Sequence, residues 1–403
     1  MIRTKCLTYT KELFIMSIAN QEMIRNNNRR LVLEFIINHP PISRAALAKQ
    51  LSLTKATISN IVQELLDQHF IQEIGSAQTS LGRKPILLEF NKSYRFTLSL
   101  EIQPQQIIAL ITNLKGEVQE IQKTPFYPED NLLQRLKEIL NFYIKESVDF
   151  KNKIIGVSIG IYGVVQKNEI LFTPYYPLPG AGLGKHLQEI FKLPVFVENE
   201  ANFSVLGEAA FHHKCKNMIH INVHDGIGMG ILVNGCLYKG RDGYAGEFGH
   251  TILFPDGKPC PCGNHGCFEL YASQRAILEN YAARQQKETV TISEFLKDYD
   301  ANLPLAGEMM DLFVKYISIG INNIINTFNT DVIVLNSAFS NHIPDINHRI
   351  LKYLASHQNR DCKIIPSKLG DFSCLLGGAR VSIENFLNIQ QLQISCVPSF
   401  FDC

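Results

Sequence analysis

Three cysteines and a histidine form the clearest chemical cluster in this 403-residue chain. Cys260, Cys262 and Cys267 lie within eight positions of one another, and His250 precedes them by ten positions. Three cysteines with one histidine make a standard four-ligand shell for structural Zn²⁺, and the glycines around them allow tight turns. His265 is a rival fourth ligand, although its place between two closely spaced cysteines makes it the poorer donor. The spacing predicts a closed zinc site rather than disulfides.

A glycine-rich stretch, Asp225-Gly226-Ile227-Gly228-Met229-Gly230, is a second candidate for chemistry. Stretches of this kind cradle phosphate groups when they open a helix. This one lies between two segments with strand character, and Asp225 would place a negative charge against a phosphate. Two interpretations therefore stay open, a phosphate-binding loop and a tight connection between strands that requires glycine.

The N-terminal segment has the pattern of a DNA-binding helix. Three short helices are predicted from Asn27 onward, because Pro40 and Pro41 end the first, and Ser43 and Thr54 are suitable N-caps for the second and third. The third helix has an apolar face, and its outward residues are short and polar: Lys55, Thr57, Ser59, Asn60 and Gln63. Such a helix fits the major groove, where these side chains reach base edges.

A wing is predicted after these helices. Candidate strands at residues 70–74 and 85–90 flank the polar stretch 75–84, and Arg83 and Lys84 at its base are suited to phosphate or minor-groove contact. The predicted DNA-binding residues are Arg44, Lys55, Thr57, Ser59, Asn60, Arg83 and Lys84. A small helical bundle that contacts another protein is the alternative, but the polar helix, the basic wing and the local charge together favour DNA.

Composition and charge exclude several classes of protein. Hydrophobic residues make up 45% of the chain and charged residues 19%, which excludes a mainly disordered or collagen-like protein. Residues 1–90 carry a net charge of +4 and residues 91–403 carry −3, so contact with nucleic acid is expected at one end only. No apolar run reaches the roughly 18 residues of a membrane span. With no secretion signal, a cytoplasmic protein without membrane contact is predicted; Met1 and Met16 are both candidate starts.

After residue 90 the pattern changes to strands that alternate with helices. Residues 154–161 form a near-continuous apolar run, typical of a strand covered on both faces. Helices are predicted over residues 131–150 and 309–328, and Asn234-Gly235 between apolar segments predicts a type I′ hairpin. A body of about 300 residues is too large for one core. We therefore predict an α/β body with two lobes and a cleft between them.

Together these motifs resemble the signature of the ROK family, whose members are repressors, open reading frames and kinases. The glycines of residues 226–230 and 246–249, followed by the cysteine knuckle at 260–267, carry the resemblance in the body. Ile61-Val62-x-Glu64-Leu65 and Gly82-Arg83-Lys84-Pro85 resemble the winged helix of the repressor branch. The resemblance implies an α/β protein in which an N-terminal winged helix-turn-helix precedes a two-lobed, actin-like sugar-kinase body with a zinc knuckle.

The resemblance also implies how the chain is divided. The expected segments are an N-terminal extension (1–19), a winged helix-turn-helix domain (20–90), a first lobe (91–193), a second lobe with the knuckle (194–385) and a tail (386–403). The last helix of the second lobe is expected to return to the first lobe.

A sugar site in the cleft is implied by residues that match the family's sugar-binding motifs. The matched residues are Gly163, Asn199, Glu200, Glu247, His250 and Glu269. Carboxylates and amides suit vicinal hydroxyls because they accept and donate hydrogen bonds in pairs, and a metal fixes the loop that presents them. In the family the zinc-bound histidine also faces the sugar. The asparagine that many relatives use at one further position is replaced by Tyr175 or Tyr176.

Departures from the kinase pattern concentrate on the nucleotide side. Glu200 stands where kinases have an aspartate base, and its extra methylene displaces the acid by about 1.5 Å. The usual Asp-x-Gly-Gly-Thr loop is replaced by Glu101-Ile102-Gln103-Pro104-Gln105, so the backbone cannot approach phosphates closely. Asp225 replaces a threonine that contacts phosphate, and Asn336-Ser337-Ala338 replaces a run of glycines.

The sequence therefore predicts a regulator and not an enzyme. It is expected to be a sugar-responsive transcriptional repressor of carbohydrate uptake or catabolism genes, with structural Zn²⁺ as its cofactor. The expected partners are a double-stranded DNA operator, a sugar or sugar-phosphate effector, and further copies of the chain in a homodimer or homotetramer. The alternatives are an ATP-dependent sugar kinase and a regulator controlled by a sugar-transport protein.

Overall fold

The computed structural model describes residues 3–76, 85–177, 182–211, 215–354 and 362–389, with side chains from residue 21 onward. The chain divides into two compact units, an N-terminal unit of residues 1–95 with two short later segments, and a larger body. The predicted DNA contacts Arg83 and Lys84 lie outside the described residues. No described helix is both long enough and apolar enough to cross a membrane.

The N-terminal unit contains three helices and a small sheet, and its first helix, of 36 residues, is much longer than the short helix predicted from Asn27. Its elements are α1 (Arg3–Asn38), β1 (Ile42–Ser43), α2 (Arg44–Gln50), α3 (Lys55–Asp67), β2 (Ile71–Ser76) and β3 (Ile86–Phe90), with the strands in the order β1-β3-β2. Both predicted N-caps are confirmed, because Ser43 Oγ accepts from the amide of Ala46 at 3.2 Å and Thr54 Oγ1 from that of Thr57 at 3.1 Å. The apolar face of α3 is buried, as its periodicity predicts.

The first lobe of the body is built on a mixed five-stranded sheet in the order β10-β7-β4-β5-β6. Its elements are β4 (Phe96–Ile102), β5 (Gln106–Asn113), β6 (Val118–Pro125), α4 (Leu132–Asn141), β7 (Ile154–Ile161), β8 (Val164–Gln166), β9 (Glu169–Phe172), α5 (Leu183–Phe191) and β10 (Val195–Asn199). Strand β7 pairs in parallel with both β4 and β10. The carboxyl ends of these three strands therefore lie along one edge of the sheet.

The second lobe contains another mixed five-stranded sheet, in the order β13-β12-β11-β14-β15. Its elements are α6 (Glu200–Phe211), β11 (Met218–Val223), β12 (Ile227–Val233), β13 (Cys236–Leu237), α7 (Glu269–Ala272), α8 (Gln274–Arg284), α9 (Ile292–Asp300), α10 (Pro304–Phe328), β14 (Val332–Ser337), α11 (Ala338–His342), α12 (Ile346–Tyr353), β15 (Lys363–Pro366) and α13 (Ser373–Leu387). The predicted hairpin joins β12 to β13, where Asn234 and Gly235 have φ of 54° and 77°, as a type I′ turn requires.

The helix predicted over residues 131–150 is shorter than its periodicity suggests. Helix α4 ends at Asn141 and continues only as a π-helical turn over Phe142–Glu146. Phe150 then turns into the core of the first lobe, where its ring lies 5.2 Å from that of Phe96. The chain therefore leaves the helix early, because the ring of Phe150 is buried in the core instead of extending the helix.

Helix α13 contacts both lobes. Ser158 Oγ of β7 donates to the carbonyl of Gly378 at 2.6 Å, and Arg380 Nη1 donates to the carbonyl of Leu206 in α6 at 3.0 Å. A Cβ atom at Gly377 would lie 1.8 Å from the carbonyl oxygen of Phe203, so glycine is required where α13 crosses α6. Through these contacts α13 connects β7 of the first lobe with α6 of the second lobe.

Candidate functional sites

The surface of α3 presents the polar residues that the sequence predicts. Lys55, Ser59 and Asn60 are exposed on this helix, whereas Thr57 is half-buried and its hydroxyl lies 2.9 Å from that of Thr54. Thr57 therefore also stabilises the start of the helix.

Two sets of ion pairs fix the helices of the N-terminal unit. Glu64 of α3 pairs with Arg25 and Arg29 of α1 at 2.8 and 3.1 Å. Arg44, at the start of α2, pairs with Glu73 of β2 at 3.1 Å. Arg44 is thus already neutralised in this DNA-free structure, and contact with a phosphate requires exchange of its partner.

The predicted metal ligands converge on one point. His250, Cys260, Cys262 and Cys267 place their ligand atoms within 4.8 Å of one another. The Sγ atoms of Cys262 and Cys267 are 3.6 Å apart, and Cys260 Sγ is 3.6 Å from His250 Nδ1. A tetrahedral ion with Zn–S bonds of about 2.3 Å separates its sulfurs by about 3.8 Å, so these side chains fit such an ion. His265 is exposed and is not part of the cluster.

The knuckle loop is shaped by a glycine that no other residue could replace. A Cβ atom at Gly266 would lie 1.6 Å from the carbonyl oxygen of Phe254, and the φ of Gly266 is 72°. The loop also brings two acids to the histidine. Glu269 Oε1 lies 3.7 Å from His250 Nδ1, and Glu247 Oε2 lies 3.9 Å from His250 Nε2. The metal cluster and the predicted sugar ligands therefore share one histidine.

Asn199 holds the framework of the cleft. Its Oδ1 accepts from the amides of Ala201 and Asn202 at 2.8 and 3.2 Å at the start of α6, and its Nδ2 donates to the carbonyl of Gly163 at 2.8 Å. A Cβ atom at Gly163 would lie 2.1 Å from the carbonyl oxygen of Phe172, so this position requires glycine. Asn199 thus fixes Gly163 and the start of the helix, in addition to lining the cleft.

Glu200, the first residue of α6, is buried in the cleft. Its nearest polar partner is Asn222, whose Nδ2 lies 3.4 Å from Glu200 Oε2. Burial raises the pKa of Glu200 to about 8, and the nearby carboxyl group of Glu101 adds to this effect. A carboxyl group with this pKa is largely protonated at neutral pH.

All six predicted sugar ligands line one cavity of about 390 Å³, within the range of small-molecule sites. The two tyrosines that the sequence offers for one further position have different surroundings. Tyr175 lines the cavity and packs edge-on against Tyr162, with ring centroids 6.0 Å apart. Tyr176 is buried in the core of the first lobe against Phe126.

The glycine-rich stretch of residues 225–230 connects strands. Asp225 and Gly226 form the turn between the antiparallel strands β11 and β12. A Cβ atom at Gly230 would lie 2.1 Å from the carbonyl oxygen of Ala201, and one at Gly228 would lie 3.0 Å from Glu200 Oε1. The glycines therefore let β12 pack closely on α6, in agreement with the second of the two interpretations.

The nucleotide side of the cleft is occupied by side chains. Asn336 is buried at the end of β14, and its Nδ2 donates to Asn222 Oδ1 at 2.8 Å and to the carbonyl of Gly370 at 3.2 Å. Beyond β4 the chain turns tightly, with the amide of Gln103 donating to the carbonyl of Gln106 at 2.9 Å. The backbone there leaves no glycine loop for phosphate.

Sequence reasoning assigned no binding role to several residues that line the cavity. Glu101, Tyr162, Asn222 and Asp371 belong to this group. Glu101 offered one signal, because an acid within the otherwise apolar strand 96–102 is unusual unless its carboxyl group has a function. Asn222 offered a similar signal as an amide in the buried strand β11, whereas Tyr162 and Asp371 carried no comparable pattern.

Comparison with known proteins agrees with this arrangement. The ROK family profile matches residues 97–384 and the MarR family profile matches residues 26–78. The xylose repressor of Bacillus spizizenii is 33% identical over 94% of this chain and 100% of its own length. A ROK family transcriptional regulator described as a homologue of the Escherichia coli MLC protein is 28% identical, with a TM-score of 0.75 over 92% of this chain and 98% of its own.

The body also shares its fold with an enzyme. A ROK family glucokinase from Streptomyces griseus, solved with glucose and AMPPNP, is 22% identical, with a TM-score of 0.63 over 71% of this chain and 98% of its own. At this identity the likeness concerns the fold alone. The chain therefore belongs to the ROK family, and it carries a MarR-type winged-helix domain ahead of an actin-like body of the sugar-kinase type.

Proposed function

We propose that this chain is a transcriptional repressor that binds operator DNA through α3 and the wing, and that binds a sugar or sugar phosphate in the cleft of its body. The observation that carries the proposal is a single cavity that all six predicted sugar ligands line, with a tight turn and no glycine loop for phosphate after β4. Sugar binding favours one arrangement of the lobes and thereby changes operator affinity, which requires unequal affinity for the two arrangements. A protein that binds operator DNA acts in the cytoplasm, and this proposed function requires no membrane contact.

A regulator without kinase activity is the function that these residues support. Glu200 is longer by one methylene than the aspartate base of the kinase pattern, which displaces its carboxyl group by about 1.5 Å from a near-attack position. The tight turn after β4 replaces the loop that would hold phosphates. The full-length relative of 33% identity is named a repressor, in agreement with this assignment.

We propose Zn²⁺ as the ion of the His250, Cys260, Cys262 and Cys267 cluster. When bound, it would hold the knuckle loop and the ring of His250 in place beside Glu247 and Glu269. Metal analysis of the purified chain should give one zinc per chain, and Cys267→Ser should lose most of it. A wild-type preparation made without chelator that holds much less than one zinc per chain would contradict the assignment.

The DNA-binding residues proposed are those of the sequence prediction: Arg44, Lys55, Thr57, Ser59, Asn60, Arg83 and Lys84. Repressors with one helix-turn-helix per chain bind pseudo-palindromic operators with two copies, so we propose a homodimer or a homotetramer. Control by a sugar-transport protein is the second candidate for the signal.

The test is an anisotropy titration on DNA upstream of the gene and its neighbours, at fixed salt, with and without sugars and sugar phosphates. Specific binding that one sugar releases would support the proposal and identify the effector. Binding that a transport protein releases, but no sugar does, would support the second candidate. A chain that binds no neighbouring promoter specifically would contradict the proposal.

A matched pair of variants separates DNA contact from folding. Lys55→Glu combined with Asn60→Ala should abolish operator binding, because both side chains are exposed on α3 and neither supports the core. Lys151→Glu makes the same charge change at an exposed position of the body and should leave operator binding unchanged. Equal operator affinity of both variants would contradict the role of α3.

A further inference from the structure

Helix α13 begins at the cavity of the body and ends in the N-terminal unit. Its first two residues, Ser373 and Cys374, line the cavity. Residues 384–390, which include the last turn of the helix, belong to the same compact unit as residues 1–95. One continuous helix of 15 residues therefore connects the candidate effector site with the unit that carries α3.

The first half of α13 packs closely against both lobes. Ser373 Oγ donates to Ser204 Oγ of α6 at 3.0 Å, and a Cβ atom at Gly207 of α6 would lie 2.3 Å from the carbonyl oxygen of Ser373. On the side of β7, a Cβ atom at Gly378 would lie 2.7 Å from the Cβ of Ser158. Because packing this close leaves no free space, a change in the arrangement of the lobes displaces α13 relative to at least one of them.

The end of α13 is fixed in the N-terminal unit. The amide of Ile389 donates to the carbonyl of Glu384 at 3.1 Å, and Asn388 between them has a φ of 53°. This hydrogen bond and the left-handed residue are those of a Schellman motif, which closes the end of a helix. Leu387 and Ile389 are both buried. The last turn is therefore anchored rather than frayed, so it moves together with the rest of the helix.

Phe386 connects this last turn to the residue segment that follows α3. Its ring lies 5.5 Å from the ring of Phe70. Phe70 is buried, and its amide donates to the carbonyl of Leu65 in α3 at 2.9 Å. The guanidinium of Arg29 in α1 lies 5.4 Å from the centroid of the same ring. A displacement of Phe386 therefore acts on a residue that is bonded to α3 and packed against α1.

We propose that α13 transmits effector binding from the cavity to α3, and that the contact between Phe386 and Phe70 couples the helix to the DNA-binding surface. The inference rests on the proposed function and names the element that regulates it. An effector changes operator affinity in this way only if it binds one position of α13 more tightly than the other. Phe386 is a positioning residue, because it does not line the cavity.

The test compares operator affinity with and without sugar for the full-length, zinc-replete protein. The probes are xylose, glucose, N-acetylglucosamine and the 6-phosphates of the two hexoses, and titration calorimetry gives the affinity for each. In wild type, one probe should weaken operator binding by roughly 5–150-fold, the usual range for coupled sites. In Phe386→Ala the same probe should still bind, and the operator should still be bound, but the probe should change operator affinity by less than about threefold.

Two further variants separate coupling from folding. Phe386→Leu keeps an apolar contact with Phe70 and should therefore restore most of the response. Phe142→Ala removes a ring that is exposed on the body and does not line the cavity, so it should respond like wild type. A Phe386→Ala protein that responds to the probe as strongly as Phe142→Ala would overturn the inference.

Hydrogen exchange of the wild-type protein gives a result that depends on neither the variants nor the operator. Binding of the probe should change the exchange of the Phe70 amide and of the amides in residues 384–389, in addition to those at the start of α13. A probe that binds but changes exchange only in the body would overturn the inference.

These measurements distinguish the inference from the proposed function. If a sugar changes exchange at Phe70 but the chain recognises no operator, the repressor is contradicted and the coupling through α13 is supported. If the operator is bound but no probe is, the response to sugar and the inference are both wrong. If a sugar releases the operator from wild type and from Phe386→Ala equally, only the inference is wrong.

Discussion

At the scale of single residues, burial controls the chemistry of the cleft. Glu200 and Glu101 are buried acids among the residues that line the cavity, and loss of hydration raises their pKa values to about 8 and about 7. The carboxyl group of Glu101 further raises the pKa of Glu200, and that of Asp371 further raises the pKa of Glu101, because like charges disfavour ionisation. Their protonated forms donate as well as accept hydrogen bonds, which suits a ligand made of hydroxyl groups.

The raised pKa of Glu200 predicts a pH-dependent stability. Below pH 4.5 the carboxyl group of Glu200 is protonated in both the folded and the unfolded chain, and its contribution to the free energy of unfolding is fully present. Between 4.5 and about 8 the unfolded chain ionises first, so stability falls as pH rises, by at most about 1.4 kcal/mol per pH unit. Glu200→Gln removes the titration. Urea unfolding from pH 5 to 8.5 should therefore show the variant gaining stability relative to wild type.

Glu120→Gln serves as the control for this measurement, since it changes an acid outside the cavity in the same way. Any pH dependence caused by the metal cluster is common to all three proteins and cancels in the comparison. Parallel pH profiles for wild type and Glu200→Gln would contradict the raised pKa, because they would show that Glu200 is ionised in the folded chain over the whole pH range measured.

At the scale of elements, local signals in the sequence predicted local structure correctly. The caps Ser43 and Thr54 and the turn at Asn234-Gly235 each depend on a few neighbouring residues, and the structure confirms all three. The helix over 131–150 was predicted too long, because the burial of Phe150 depends on a strand distant in sequence. Local periodicity contains no information about that strand.

The candidate site shows the same division between local and distant information. The metal cluster follows from ligand spacing, and its four residues converge as predicted. The residues of the cavity that come from separate strands could not be derived from spacing. Glu101 lies at the end of β4 and Asn222 near the end of β11, and only the fold brings them to one cleft. The choice between Tyr175 and Tyr176 likewise depends on which ring the core of the first lobe accepts.

At the scale of the whole molecule, charge is divided between the two ends of the chain. Residues 1–90 carry +4 and residues 91–403 carry −3, so attraction to DNA is concentrated in the N-terminal segment. The acidic balance of the body disfavours non-specific contact between the body and DNA. This separation predicts that a few N-terminal cations set the salt dependence of operator binding. The size of that salt dependence therefore reports how many copies of the chain bind one operator.

Substitution of Lys55 would measure the number of copies of the chain that bind one operator. The logarithm of the binding constant falls with the logarithm of salt concentration by about 0.9 for each phosphate contact. If Lys55 contacts a phosphate and two copies share one operator, Lys55→Ala should reduce the slope by about 1.8, whereas one copy gives about 0.9. Lys151→Ala, an exposed lysine of the body, should leave the slope unchanged. A slope reduced by about 0.9 would contradict the proposed dimer, and an unchanged slope for Lys55→Ala would contradict its contact with a phosphate.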